Sequence, residues 1–322
     1  MACIGCTSNL IEFTDGVTWV QQVLHEGLLL ALVNISPSFR LLDGDVCTLV
    51  LAMLSDRLPR YFVYRSVIVA ASAAMTKLDN QHLAKIARSP LKEPWLKLKH
   101  LTEERMSIKT EWSVMRKQVG YCDNQGAKDT FKQCARCQTT MYCSKSCQVL
   151  GWKKGHKTEC ELKSLERTAD TINRQDRVFM HHLAIRNARD NIVNLREIAA
   201  RDHPGVPYAG LGVSCDYLKV PPTFGVFALE NYTLERLADP TAERTLEARG
   251  LSLIAKVRAS EGKYTLVESR VSRGETSTLI ITISVRSLWE FDSDWEEEMN
   301  RLIDLSAEDV GMPSAWAKEL TD

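Results

Sequence analysis

Seven residues between Cys122 and Cys160 have the types and spacing of metal ligands: Cys122, Cys134, Cys137, Cys143, Cys147, His156 and Cys160. Six of the ten cysteines fall in this stretch, separated by C-x2-C, C-x3-C and H-x3-C spacers. Thiolate and imidazole are the ligands zinc prefers, and structural zinc sites are closed tetrahedra of four. The C-x2-C of Cys134 and Cys137 is a tight turn that aims two sulfurs at one ion. Cys143 with Cys147, and His156 with Cys160, are four apart and share a face if helical. Two closed sites need eight ligands, and the stretch supplies seven. Such a cluster folds around metal with little hydrophobic core.

The framing residues are as specific as the ligands. Tyr142-Cys143-Ser144-Lys145-Ser146-Cys147-Gln148 is followed by Trp152 and then by His156-Lys157-Thr158-Glu159-Cys160. Together they resemble the MYND-type zinc finger: a Cys pair, a second Cys pair, Y/F-C-x3-C-Q, a Trp, then H-K-x2-C. Gly155 reads as a one-residue expansion between the Trp and the His. The resemblance covers 39 of 322 residues. It implies interleaved sites. One is complete: Cys134, Cys137, His156 and Cys160. The other takes Cys122, Cys143 and Cys147 and lacks a sulfur, because Gln125 or Ala127 stands where its partner belongs. Three readings of that site stay open: completion by water or a carboxylate such as Asp123 or Asp129, weak or empty occupancy, or a distant thiol such as Cys3 or Cys6. A three-ligand zinc is also a catalytic layout, but no positioned base or substrate pocket is legible nearby. The resemblance further implies a protein–protein interaction module for short proline-containing peptides, with Gln148 and Trp152 facing the peptide. No catalytic residues are assigned.

The enzyme counterpart of the resemblance is the SET-and-MYND protein lysine methyltransferases. Their Asn-His-x-Cys-x-Pro-Asn stretch is absent; Ser214-Cys215-Asp216-Tyr217 is the nearest text. Nucleic-acid binding is disfavoured. The cysteine stretch holds seven bases and three acids, about +2 once six thiolates and two zinc ions are counted. Over the whole chain, 41 basic and 41 acidic residues balance, which gives no global pull toward nucleic acid or an anionic membrane.

The flanks must position the finger. With 44% hydrophobic and 25% charged residues, the chain can bury ordinary cores. No apolar run approaches the ~20 residues that span a bilayer, and the opening Met1-Ala2-Cys3-Ile4-Gly5-Cys6 predicts no secretory leader. Clustered thiols in a leaderless chain predict a reducing compartment, cytoplasm or nucleus. The expected fold is α+β in several parts. Residues 1–118 form a helical region, with breaks at Pro37, Asp43-Gly44-Asp45 and Pro59. The finger occupies 121–160. A long helix and linker, 161–205, holds no Pro or Gly until His203-Pro204-Gly205 stops it. An α+β unit, 206–322, carries an antiparallel meander. In that unit Val213, Cys215 and Tyr217 alternate as a strand. Leu251, Leu253, Ala255 and Val257 do the same. The turns 260–263 and 272–275 join this strand to Tyr264–Val271 and Thr278–Val285. A helix opens near Ser293, where Ser293 and Glu296 fit a capping box. Cys47 and Cys215 read as core thiols, and His181-His182 as a solvated or capped helix face. The flanks resemble in texture MYND proteins common in fungi.

Overall fold

The computed structural model describes residues 2–118, 120–122, 126–128, 132–138, 140–169, 172–233, 240–284 and 287–290. The helix expected near Ser293, Val285 and the carboxylates Asp123 and Asp129 lie outside the described residues. Two compact units emerge: 1–109 with 162–289, and 110–161.

The first unit opens with short helices: α1 (Ala2–Phe13), α2 (Gly16–His25), α3 (Leu28–Ile35), α4 (Gly44–Ala52), the single turn α5 (Leu58–Arg60), α6 (Arg65–Met75) and α7 (Asn80–Ala87). Turn chemistry sets their lengths. Asp43 caps α4 by accepting from the Asp45 N–H, and Asp79 caps α7 by accepting from the His82 N–H. Helix α8 (Lys92–Gln118) leads out toward the finger, which is built of β1 (Gly120–Cys122), β2 (Gly126–Lys128), β3 (Lys132–Gln133), β4 (Met141–Tyr142) and α9 (Lys145–Gly151).

The expected long helix after the finger is three: α10 (Lys157–Ala169), α11 (Arg174–Asp190) and α12 (Ile192–Asp202). No Pro or Gly breaks it. Asn173 does, by turning its side chain onto the Asp176 N–H and starting a new helix. Asn191 makes the second break, where α11 ends. Short amide side chains compete with the helix ladder for backbone donors, a signal weaker in sequence than Pro or Gly.

The sheet corrects the antiparallel meander. Four strands lie in the order β6-β5-β7-β8, with β5 (Leu211–Asp216), β6 (Thr223–Ala228), β7 (Leu266–Arg273) and β8 (Thr276–Ile283). The hairpins β5–β6 and β7–β8 are antiparallel, but β5 pairs with β7 in parallel, Val213 opposite Val267 and Cys215 opposite Ser269. A parallel pair needs a crossover, and the crossover is α13 (Pro240–Arg258). The expected strand Leu251–Val257 lies inside this helix. Its alternation is real, but Leu253, Ile254 and Val257 also follow helical spacing, and these three are the buried ones.

N-terminal helices and C-terminal sheet share one core. Val20, Leu24, Phe62, Val67 and Phe179 pack in the same cluster as Val213, Val267, Val271 and Ile280. Buried polar ties pin them together. The Tyr64 hydroxyl donates to the Ser272 carbonyl at 2.8 Å, and Tyr61 accepts from the Gly274 N–H at 2.9 Å while donating to the Ile11 carbonyl at 3.0 Å. Asp176, 1% exposed, accepts from the Ser66 N–H and hydroxyl, each at 2.8 Å. Gly274 has φ +66°, and a Cβ there would meet the Thr14 carbonyl oxygen at 1.7 Å. Cys215 is 1% exposed, and burial pushes its thiol up to about 12.

His181 and His182 are a second correction. They are half-buried and not a solvated face. Burial, then Arg177 and Arg249, holds His181 down at about 3; burial, then Arg186 and Arg189, holds His182 down at about 4. The sequence shows their helix but not what packs against this side of it.

Candidate metal centre

The knuckle is closed by its own backbone. The Gln138 N–H donates to the Cys134 carbonyl at 2.9 Å, and the Cys134 N–H donates to the Thr140 carbonyl at 3.0 Å. Gln138 takes φ +55° to make the turn. Strands β3 and β4 pair antiparallel on either side of it, Lys132 opposite Tyr142. The other two ligands come from the helical end of the finger. Helix α9 runs into a wide turn, Trp152–His156, in which Gly155 has φ +115°. A left-handed residue suits glycine, and here it separates α9 from α10. His156 and Cys160 then straddle the start of α10.

Four ligand atoms converge. Those of Cys134, Cys137, His156 and Cys160 all lie within 4.8 Å of one another, and all four residues are buried. Cys134 Sγ is 3.7 Å from Cys160 Sγ, and Cys137 Sγ is 3.8 Å from His156 Nε2. A tetrahedron with Zn–S of about 2.3 Å has edges of about 3.8 Å, so the donor set fits zinc in chemistry, number and spacing. Burial, then the Cys134 and Cys137 sulfurs, pushes the Cys160 thiol up to about 12. Three sulfurs this close ionise together only around a cation. Zinc bound by these residues has no open position and serves to hold the fold.

Around the ligands the finger has a core of a few residues. Tyr142, 2% exposed, sets its ring edge-on to His156 at 5.7 Å. Gly151 makes room for it: a Cβ there would lie 2.7 Å from the Tyr142 ring. Trp152 meets His156 from another direction, edge-on at 5.8 Å, and remains 39% exposed. Arg136, on the knuckle, pairs with Glu161 next to Cys160 at 3.8 Å.

The remaining predicted ligands fall into two groups. Cys143 and Cys147 come together, Sγ to Sγ 3.4 Å. They meet across a helix cap and not along one helix face: Ser144 accepts from the Cys147 N–H at 3.2 Å and starts α9, leaving Cys143 just outside it. Cys122 ends β1, where it pairs with Gly126 of β2, and its side chain lies outside the described residues. Gln148 is half-buried on α9. Thr140, Gly151 and the Arg136–Glu161 pair carry no motif signal in the sequence. A hydroxyl between C-x2-C and Tyr-Cys was the one available hint of Thr140.

Residues 117–160 match the family model of the MYND finger. This segment is a MYND finger. Similar curated proteins share it: ubiquitin carboxyl-terminal hydrolase 19 of Arabidopsis thaliana is 50% identical over 34 residues, 11% of this chain and 5% of that protein. Hydrolase 17 of the same plant is 48% identical over 31 residues, 10% of this chain and 4% of the relative. Hydrolase 16 is 46% identical over 33 residues, covering 10% and 3%. These matches fall in the MYND region of the hydrolases. The chain thus spans only a few percent of the length of these relatives. No solved structure matches the chain. The MYND finger makes this a zinc-binding chain with a protein-interaction module. Among the described residues no helix is long and apolar enough to cross a membrane.

Proposed function

We propose that this protein is an adaptor whose MYND finger docks a short, proline-containing segment of a partner protein, with Gln148 and Trp152 as the contact residues. The observation that carries the reading is the surface beside the metal ligands. Val149 and Leu150 near the end of α9 and Trp152 just after it are 49%, 42% and 39% exposed. A finger whose stability comes from coordination does not need these side chains for its core. Trp152 does double duty. One edge rests on His156, which fixes the ring, and the remainder offers the flat apolar surface that proline rings stack on.

The second metal site belongs to the same proposal. Cys143 and Cys147 are already paired at 3.4 Å, and β1, which ends at Cys122, runs beside β4, which ends before Cys143. These three sulfurs hold a second zinc, one protein ligand short, and hold it less tightly than the complete set. Elemental analysis then gives between one and two zinc ions per chain after mild chelation. Two tightly held ions contradict the weak second site.

The role we propose for the finger is non-enzymatic, because its complete ligand set leaves zinc no open position. The cellular setting we propose is the cytoplasm or nucleus, where the thiols stay reduced. The test of docking is a pull-down with Trp152→Ala beside wild type, with zinc content measured in both. Lost partners at unchanged zinc support the proposal; retained partners contradict it.

A further inference from the structure

The finger contains a buried hydroxyl that touches two metal ligands at once. Thr140 is 2% exposed and lies between the knuckle and β4. Its Oγ1 is 3.4 Å from His156 Nδ1 and 3.7 Å from Cys137 Sγ. Its backbone carbonyl accepts from the Cys134 N–H at 3.0 Å. One residue therefore touches three of the four ligands. Two come from the knuckle; His156 lies nineteen positions beyond Cys137, at the start of α10.

We propose that Thr140 is a positioning residue for the zinc site, and that it acts through a directed hydrogen-bond relay. Hydroxyl chemistry fixes the direction. A threonine hydroxyl has one hydrogen to donate and lone pairs to accept with. Without metal the Cys137 thiol donates to Thr140 Oγ1; a liganding thiolate only accepts, so with zinc bound the Thr140 O–H turns to Cys137 Sγ. The lone pairs of Oγ1 are then left for His156, whose Nδ1–H donates to them. That places the ring hydrogen on Nδ1 and the free lone pair on Nε2, the nitrogen that faces Cys137 Sγ at 3.8 Å. This direction of the relay belongs to the metal-binding state: Cys137 as thiolate and His156 neutral, with Nε2 aimed inward. Tyr142 and Trp152, edge-on to the imidazole at 5.7 and 5.8 Å, hold the ring plane but offer it no polar atom at Nδ1. Packing thus sets where the ring sits, and Thr140 sets which nitrogen it presents. Partners of this kind, which orient a liganding histidine through its other nitrogen, commonly carry about 10–100-fold in metal affinity.

The test uses the full chain with Thr140→Val, which keeps the shape and removes the hydroxyl, and Thr140→Ser, which keeps the hydroxyl and removes the methyl. Zinc affinity is read by competition with a chromophoric chelator. The His156 ring is read by long-range proton–nitrogen spectra of the zinc-loaded protein. The expected result is zinc affinity lowered about 10–100-fold in the valine variant and largely restored in the serine variant. The protected Nδ1 proton signal persists in wild type and serine variant and is lost in the valine variant. Wild-type affinity in the valine variant would overturn the proposal. So would a serine variant as weak as the valine one, since the methyl and not the hydroxyl would then be what matters.

Discussion

The two units of this protein reach a fixed structure by opposite means. The larger one buries dozens of apolar side chains in a single cluster, from Ile11 to Trp289 in sequence. Among its described residues the finger's apolar cluster is four cysteines and Tyr142. A cluster that small falls far short of the entropy of ordering the segment. Coordination must supply the difference, and in isolated fingers structural zinc contributes about 10–16 kcal/mol at neutral pH. The contrast teaches where tolerance to change lies. In the larger unit a lost methylene is a local loss within a redundant core. In the finger, one lost ligand removes the main source of stability.

The sharpest break of this comparison is Cys134→Ser. It should abolish tight zinc binding at the complete site and lose the structure of 120–160, while the thermal transition of the larger unit moves little. A shift of both transitions together would remove the distinction. Next in size is Phe179→Ala, which empties a fully buried position in the large core. It should cost about 3–5 kcal/mol in the larger unit by denaturant unfolding and leave zinc content unchanged. Gly274→Ala attacks the same unit through its backbone, because its Cβ and positive φ conflict with Thr14. It should destabilise by a few kcal/mol; a neutral result would show that the turn relaxes freely.

Acid sharpens the comparison within the larger unit. His181 and His182 are held near 3 and near 4 in the folded chain against an ordinary 6.5. Folded values below unfolded ones mean that the unfolded chain binds more protons as pH falls. Stability is therefore full above pH 6.5 and lost progressively below it, toward pH 4 and 3. Melting of the larger unit in excess chelator, which removes the finger's own acid sensitivity, should show this slope. A His181→Gln, His182→Gln variant should flatten it. The smallest effect belongs to Trp152→Ala. Its exposed face contributes to docking, and its His156 contact should change zinc affinity only slightly.

The two regions also differed in how much the sequence disclosed. The finger was legible because its information is local: C-x2-C, the His-x3-Cys step and the Tyr, Gln and Trp frame all lie within one short stretch. What it withheld was Thr140, because a hydroxyl has no direction in a sequence, and the cap at Ser144, which brings Cys143 and Cys147 together. In the larger unit the hairpin β7–β8 was readable from its alternation and its turn at Gly274. The strand expected at Leu251–Val257 was not a strand, since Leu253, Ile254 and Val257 of the same stretch also suit one side of a helix. Only the parallel pairing of β5 with β7 decides between them, and that pairing joins residues fifty-four positions apart, such as Val213 and Val267. The shared core and the burial of His181 and His182 are long-range in the same way.

Hydrogen exchange of the full chain, with and without a zinc chelator, tests the central claim most directly. Removing zinc should strip protection from 120–160 and leave the amides of α6, α11 and β5–β8 at their former rates. Finger amides that stay protected without zinc, or a loss of protection spread through the large core, would contradict it.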